Sequence, residues 1–323
     1  MSRTSSREID VLCVGLITVD HVCAPLRRIP AAGQLEMTDR IELAIGGSAA
    51  NVGLDLRRVG RCVSIAGCVG DDVLGRHVAQ VLAAEGALCD QFTFSKTAPT
   101  ATTMVVNVQG DDRRFIHAAG ANTELTGNEV SRGVIGRSRA LYVGGFGLNP
   151  QFSGENVARL FAAAREQGVL TVLDVVVGEQ DVGAMLTTVL PLTDLFLPND
   201  DEGRAITGLD DPLAQARRFR ERGARCVVIT RGRQGTILLD ESRCLSMPAH
   251  RVPQVDATGG GDAFVAGYVH AHLDGHSPEE CLRYGSALGA SCVQAPGATT
   301  GVFRAAELEA FVKANPLPIT AIT

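Results

Sequence analysis

The chain has 323 residues, 45% of them hydrophobic, which is enough for a single α/β domain over residues 1–323. Its 30 basic and 36 acidic residues give a net charge of −6 without a basic cluster, so we expect no nucleic acid and no membrane as partners. The N-terminus lacks the apolar core of a signal peptide, and the nine scattered cysteines include no CxxC pair. Both observations predict a cytoplasmic protein with reduced thiols.

Short apolar, β-rich runs alternate along the chain with helical patterns, which predicts parallel strands joined by crossover helices. Apolar residues at helical spacing indicate helices at about 73–82 and 157–164. A capping box at 277–280, with proline at the first helical position, predicts a helix that runs towards Cys292. The predicted strands are 11–19, 62–69, 170–175, 195–198, 226–230 and 236–239.

Two segments, 21–45 and 92–119, lack helical periodicity and carry β-like residues. We predict that they form a small separate sheet. The second segment contains Gln109-Gly110-Asp111-Asp112, whose glycine and aspartates are typical of a hairpin turn.

A glycine run, Gly259-Gly260-Gly261, leads directly into Asp262 and an apolar stretch that predicts a helix. Glycines let backbone amides surround an anion, and a helix N-terminus adds unpaired N–H groups. A carboxylate beside a bound phosphate is suited to accept a proton from an attacking hydroxyl. The alternative is a glycine-rich turn in which Asp262 is an ordinary helix N-cap.

Four segments occur in register along the chain: 46–51, 198–202, 227–235 and 256–262. Together they resemble the ribokinase (PfkB) family of ATP-dependent carbohydrate and nucleoside kinases, from about residue 10 to residue 301. The resemblance implies a central, mostly parallel sheet flanked by helices, with the inserted segments forming a β-sheet lid over the sugar. Lid sheets of two copies could cover each other, so we expect a homodimer.

The resemblance assigns Asp262 as catalytic base and Gly259, Gly260 and Gly261 as the anion hole. Gly260 replaces the family's usual alanine, which keeps the amide. Ala257 replaces a common threonine, which removes a hydroxyl.

Further roles implied by the resemblance concern the ligands ATP, Mg²⁺ and K⁺. Asn199 and Glu202 would help hold Mg²⁺, largely through water, although capping of a helix is the alternative. Thr230 and Gly232 would bind nucleotide, unless they only form a βα turn. Asp256 and Thr258 would hold a monovalent cation, with carbonyls near Cys292, Gly297 and Gly301.

Asp20, predicted at the end of the first strand, would bind sugar hydroxyls together with Gly47 and Asn51. Ser48 replaces the lysine of ribokinases, which weakens the case for ribose. The sequence leaves open the roles of Arg113, Arg114 and His21.

The sequence therefore predicts a kinase that phosphorylates a hydroxyl of a small sugar or sugar-like alcohol. A nucleoside kinase of the same family, or a catalytically silent member that binds sugar or nucleotide, is the alternative. The chain has no Walker A motif and no GxGxxG after a strand, which disfavours P-loop ATPases and dinucleotide-dependent oxidoreductases.

Overall fold

The structure is a computed structural model that describes residues 7–110 and 114–322. In these ranges the strands are β1 Ile9–Gly15, β2 Thr18–Cys23, β3 Ile41–Gly46, β4 Val63–Gly70, β5 Leu88–Ser95, β6 Thr102–Val106, β7 Arg114–Ala118, β8 Ser138–Phe146, β9 Leu170–Val175, β10 Leu195–Phe196, β11 Cys226–Thr230, β12 Thr236–Leu239, β13 Cys244–Met247 and β14 Thr320–Ala321. The helices are α1 Ser48–Arg58, α2 Val73–Ala84, α3 Arg132–Gly136, α4 Gly154–Glu166, α5 Val182–Val189, α6 Asp200–Thr207, α7 Pro212–Glu221, α8 Gly260–Leu273, α9 Pro278–Cys292 and α10 Ala305–Ala314.

Most of the described strands belong to one large sheet in the order β14-β13-β12-β11-β10-β9-β8-β1-β4-β5. The strands from β11 to β5 in that order pair in parallel, and β12, β13 and β14 add antiparallel pairs at one edge. The predicted mostly parallel sheet flanked by helices is confirmed. The sequence hypothesis does not include β8, although this strand lies at the centre of the sheet.

The two faces of the large sheet bury different helices, because alternate residues of a strand point to opposite faces. On β1, Val11 and Cys13 pack with α1, α8 and α9, whereas Leu12 and Val14 pack with α4, α5 and α7. The sheet is therefore the middle layer of three. The carboxyl ends of its parallel strands lie at one edge, where α/β sheets bind their ligands.

Four described strands form a second, small sheet in the order β3-β2-β6-β7. Its existence confirms the predicted separate sheet. Its boundaries differ from those expected: Thr18 already belongs to it, and Phe92 lies in β5 of the large sheet. Residues Asp111 and Asp112 of the predicted hairpin turn lie outside the described ranges, whereas Gly110 lies in a turn.

The predicted strand 11–19 is two strands that belong to different sheets. The chain leaves the large sheet at Gly15, whose φ is 146° and whose Cβ, if present, would lie 2.0 Å from the carbonyl oxygen of Gly144. Asp20 therefore lies within β2 and not at the end of the first strand. Apolar residues continue through the break, so periodicity does not reveal it.

Arg61 lies at the edge of the large sheet where the parallel strands begin, and it is only 8% exposed. Its guanidinium donates to the ring of His270 at 3.0 Å, to the carbonyl oxygen of His270 at 2.7 Å and to Asp274 at 2.5 Å. Burial and the Arg61 charge lower the pKa of His270 to about 4, so its ring is neutral and accepts the bond. These contacts join the start of β4 to the end of α8.

Among the described residues, no helix combines the length and apolar character that crossing a bilayer requires. The assignment of residues 1–323 to a single domain stays a prediction.

Candidate active site

Helix α8 begins one residue after Gly259, which has a left-handed φ of 76°. A Cβ on Gly259 would lie 2.1 Å from the carbonyl oxygen of Ala298, whereas the Cβ position of Gly261 has nothing within 4 Å. The first helical hydrogen bond runs from Ala263 N–H to Gly259 O, so the helix offers no acceptor to the amides of Gly261 and Asp262. The turn therefore has the open amides and the helix polarity of an anion site.

Asp262 lies in the first turn of α8, and its carboxylate accepts a 2.8 Å hydrogen bond from Asn51 Nδ2. The N-cap of α8 is Gly259, so the alternative interpretation of Asp262 as the N-cap is wrong. Burial and the charge of Asp20 raise the pKa of Asp262 to about 6, against hydrogen bonds from Asn51 and Ser48 that lower it. This carboxyl group is ionised at neutral pH and still basic enough to accept a proton.

The glycine pair before α1 allows this helix to start against β2. A Cβ on Gly46 would lie 2.1 Å from Asp20 Oδ2, and one on Gly47, whose φ is 88°, would lie 2.4 Å from the carbonyl oxygen of Leu16. Asp20 also accepts a 2.8 Å hydrogen bond from Thr18. Close backbone approach therefore explains both glycines and places Asp20 next to the start of α1.

One face of the small sheet, which we call the inner face, carries Asp20. Asp20 pairs with Ala44 on β3 and Thr103 on β6, and Thr103 pairs with His117 on β7, so these four side chains share that face. Thr103 Oγ1 and His117 Nδ1 are 3.1 Å apart. Burial lowers the pKa of His117 despite the nearby charge of Asp20. The sequence hypothesis missed Thr103 and His117, because only strand register places them beside Asp20.

The opposite face, which we call the outer face, carries the paired residues that are adjacent in sequence to those of the inner face. This row is Leu43, His21, Met104 and Ile116. Its three apolar members are between 52% and 62% exposed. His21 therefore lies on the face away from Asp20, and strand alternation puts Arg114 on the outer face as well. Arg113 lies outside the described residues.

Three acidic side chains influence one another at the carboxyl edge of the large sheet: Asp174 near the end of β9, Glu202 in α6, and Asp262. Burial and the charges of the other two raise the pKa of Asp174 well above its ordinary range, and burial raises that of Glu202 to about 8. Tyr142 donates a 3.2 Å hydrogen bond to Asp174. The sequence hypothesis missed Asp174. Its signal was present, because a carboxylate near the carboxyl end of an otherwise apolar strand is typical of a ligand site.

Asn199 and Glu202 form a capping box at the start of α6. Asn199 Oδ1 accepts from Glu202 N–H, and Glu202 Oε2 accepts from Asn199 N–H, each at 2.8 Å. Capping is therefore present, as the alternative interpretation expects. No group of three or more His, Cys, Asp or Glu side chains in the described ranges is placed to hold a metal directly. The mutual repulsion of Asp174, Glu202 and Asp262 fits a cation that keeps its waters, as Mg²⁺ does.

A cavity of about 780 Å³ lies between the β11–β12 connection and the start of α8. Thr230 and Gly232 line this cavity together with Gly260 and Gly261. Gly232 has a φ of 50°, and nothing lies within 4 Å of its Cβ position. The connection leads into antiparallel β12, so the alternative of a plain βα turn is wrong. The cavity has the size of a small-molecule site, about 300–1,000 Å³.

Asp256 joins the two loops beside the glycine turn. Its Oδ1 accepts from the amide and hydroxyl of Thr258 at 2.9 and 2.6 Å, and its Oδ2 accepts from the amide of Gly297 at 2.9 Å. The thiol of Cys292 contacts the carbonyl oxygens of Thr258 and Ala298. The segments assigned to a monovalent cation are thus adjacent, and they offer the oxygen donors that hard cations prefer.

A family model described as pfkB family carbohydrate kinase matches residues 8–304. The chain belongs to the pfkB family of carbohydrate kinases. This pfkB kinase is 26% identical over 296 residues to the ribokinase of Haemophilus influenzae, covering 90% of this chain and 94% of that one. It is 22% identical over 322 residues to the 5-dehydro-2-deoxygluconokinase of Clostridium tetani, covering 95% of this chain and 94% of that one.

Two solved structures share the fold of this pfkB kinase. The ribokinase of Arabidopsis thaliana, in complex with ribose and ATP, has a TM-score of 0.83 at 21% identity and covers 94% of this chain and 99% of that one. A candidate ribokinase II of Escherichia coli, in complex with ATP and Mg²⁺, has a TM-score of 0.81 at 21% identity and covers 95% of this chain and 100% of that one. The predicted family, fold and enzyme class are thereby confirmed. The roles of the individual site residues stay predictions.

Proposed function

We propose that this pfkB kinase transfers the γ-phosphoryl group of ATP to a hydroxyl of a small, uncharged sugar or sugar-like alcohol, with Asp262 as the base. One observation carries the proposal: Asp262 lies at the open amides of the glycine turn and is bonded to Asn51 of the glycine signature. The neighbouring Gly260 and Gly261 line the cavity, and Asp20 on the inner face is close enough for its charge to raise the pKa of Asp262.

In the proposed step the substrate hydroxyl oxygen attacks the γ-phosphorus while its proton passes to the carboxylate of Asp262. One O–P bond forms, the bond from the γ-phosphorus to the β–γ bridging oxygen breaks, and ADP leaves. The turn of Gly259, Gly260 and Gly261 supplies the anion hole, in which the open amides of Gly261 and Asp262 stabilise the negative charge on the transferred group. Thr230 bonds a phosphate of the nucleotide, and Gly232 lets the nucleotide approach the backbone.

The sugar lies between the inner face and the start of α1. Asp20 accepts from two neighbouring hydroxyls, with Gly47 and Asn51 beside it and Thr103 and His117 as further hydrogen-bonding groups. The carboxylates of Asp20 and Asp262 repel an anionic substrate, and burial lowers the pKa of His117 and so disfavours its charged form. These charges favour a neutral polyol over a sugar acid.

Two kinds of cation complete the site in this proposal. Asn199 and Glu202, with Asp174 nearby, hold Mg²⁺ largely through water, and the ion neutralises charge on the phosphates. Asp256 and Thr258 hold a monovalent cation such as K⁺, together with carbonyls near Cys292, Gly297 and Gly301.

The small sheet acts as a lid that excludes water from the reaction. Its apolar outer face is covered by a second copy of the chain in a homodimer, because the row of Leu43, Met104 and Ile116 would otherwise stay in water. We place the enzyme in the cytoplasm, where its nine unpaired cysteines stay reduced.

The proposal is tested by incubating the enzyme with Mg-ATP and a panel of neutral sugars, sugar acids and nucleosides, with ADP release as the readout. We expect release with a neutral sugar. Release with nucleosides alone would replace the sugar by a nucleoside. Nucleotide binding without turnover of any acceptor would instead favour a silent regulator.

A further inference from the structure

Asp55 lies on α1 and is completely buried. Neither of its carboxyl oxygens has a hydrogen-bond partner among the residues that the structure describes. Burial and the charge of Asp262 raise the pKa of Asp55 well above its ordinary value. Full burial without a hydrogen-bond partner favours the neutral carboxylic acid, which carries one O–H donor. The proposed reaction does not use this donor.

Asn51 lies one helical turn before Asp55 and is 5% exposed. Its Nδ2 donates to Asp262, but its Oδ1 is buried without a partner within the described residues. Residues four apart share one helix face, and helical side chains lean towards the preceding turn. Asn51 and Asp55 therefore share one face of α1, and both side chains carry buried oxygens without a partner among the described residues.

We propose that the carboxylic acid of Asp55 donates its O–H to Asn51 Oδ1 and thereby holds the amide that donates to Asp262. A single proton pairs two of the three unpaired oxygens. An amide turned the other way would direct Oδ1 at the Asp262 carboxylate and repel it. Asp55 is thus a positioning residue for the catalytic base, and this inference rests on the proposed role of Asp262.

Charged and titratable groups from several elements surround this chain of hydrogen bonds. Asp55 interacts electrostatically with Arg58 and Cys292. Asp262 interacts electrostatically with Asp20, Tyr142, Asp174, Glu202 and Cys292. Replacing Asp55 by a neutral side chain leaves their charges in place. Any change in the pH profile of such a variant is then due to the loss of the Asp55 side chain and not to a change in the surrounding charges.

The test compares Asp55→Leu, which has similar size and no donor, with Asp55→Asn, whose amide N–H can still donate to Asn51. We expect Asp55→Leu to lower kcat about 10-fold with little change in the KM for ATP, and to move the acidic limb of kcat/KM to higher pH. The reason is that a lost hydrogen bond to a carboxylate raises its pKa. Asp55→Leu should not gain stability towards urea, because it leaves Asn51 Oδ1 buried without a donor.

Asp55→Asn should keep kcat within about threefold of the wild type and leave the acidic limb where it is. Thr193→Val, which removes a buried hydroxyl far from Asp262, is the control and should keep native kinetics. Wild-type kcat in a folded Asp55→Leu variant would overturn the inference. If that variant does not fold, a shift of the acidic limb of Asp55→Asn to lower pH would overturn it, because it would mean that Asp55 is ionised in the wild type.

Failure of the proposed function is recognised separately. If Asp262→Asn keeps native turnover, Asp262 is not the base and both proposals fall. If Asp262→Asn is inactive while Asp55→Leu has native kinetics, only the positioning role of Asp55 is wrong.

Discussion

Asn51 on α1 donates a 2.8 Å hydrogen bond to Asp262 on α8, across a separation of 211 residues along the chain. The bond joins the two glycine signatures, since Asn51 follows the glycine pair at Gly47 and Asp262 follows the glycine run. It also favours the ionised form of the carboxylate, because it lowers a pKa that burial raises. In the proposed function, this one pair of side chains would serve both substrate binding and proton transfer.

Replacing Asp262 by asparagine keeps the shape of the side chain and removes the proton acceptor. We expect kcat to fall by about 10²- to 10⁴-fold, the usual contribution of a positioned general base. The affinity for ATP should be kept or improve, because a negative charge beside the γ-phosphate disappears. Steady-state kinetics and calorimetric titration with ATP measure both quantities. The control is Asp210→Asn, whose carboxylate is 93% exposed and which should keep native kcat. Near-native turnover of Asp262→Asn would show that Asp262 is not the general base.

The pH dependence of kcat/KM should report the carboxyl group of Asp262. The base acts in its ionised form, so kcat/KM should rise with pH through about 6 and then level off. Ser48→Ala removes a hydrogen bond that lowers this pKa, so its midpoint should move to higher pH. A flat profile between about pH 5 and 7 would contradict the assignment.

Glu202 should make the stability of the kinase depend on pH. Its pKa rises from 4.5 to about 8 on folding, chiefly through burial, so the folded chain holds the proton more tightly than the unfolded chain. The stabilising effect of that proton is lost as pH rises through the folded pKa. Glu202→Gln cannot ionise and can still accept from Asn199, so we expect it to gain stability relative to the wild type from about pH 4.5 to 8 in Mg²⁺-free buffer.

Urea unfolding at several pH values measures that difference. Added Mg²⁺ should reduce it if the ion is held near Glu202, and the Mg²⁺ concentration needed for activity should be higher in Glu202→Gln. Glu221→Gln, whose carboxylate is 70% exposed, is the control and should show no such trend. A difference that stays constant over the pH range would contradict the raised pKa.

Arg61→Met should destabilise the fold by about 2 to 4 kcal/mol, because it leaves the buried acceptors on His270 and the carboxylate of Asp274 without their donor. Chemical unfolding monitored by circular dichroism measures the change. Arg218→Met, which removes an exposed ion pair with Glu221, should cost less than about 1 kcal/mol. Equal effects of the two substitutions would show that the buried cluster adds no stability.

The outer face of the small sheet should be the dimer interface. A charge at Met104 or Ile116 would have to be buried without a partner in that interface, so Met104→Lys and Ile116→Lys should give monomers. Light scattering at micromolar concentration measures the mass. Val73→Lys places the same charge on an apolar residue of α2 that is 75% exposed, and it should leave the dimer intact. A wild-type monomer would rule out the interface.

Local features of the chain were sufficient to predict the family, the order of most elements and the glycine turn before Asp262. Glycine runs can be read from the sequence because the conformation they permit is local: Gly47 and Gly259 both have the positive φ that other residues avoid. The helix that starts at Pro278 was predictable for the same reason, since its capping box involves neighbours in the chain.

Tertiary structure alone decided which side chains meet. The break after Gly15 transfers Asp20 to the small sheet, and strand register then brings Thr103 and His117 to its face. Asp174 joins the acidic site only because β9 ends beside α6 and α8. Asp55, one turn from Asn51, becomes unusual only once helix packing removes it from water. Periodicity in a sequence reports which face of an element is buried, whereas the charges and hydrogen bonds of a site depend on contacts between residues far apart in the chain.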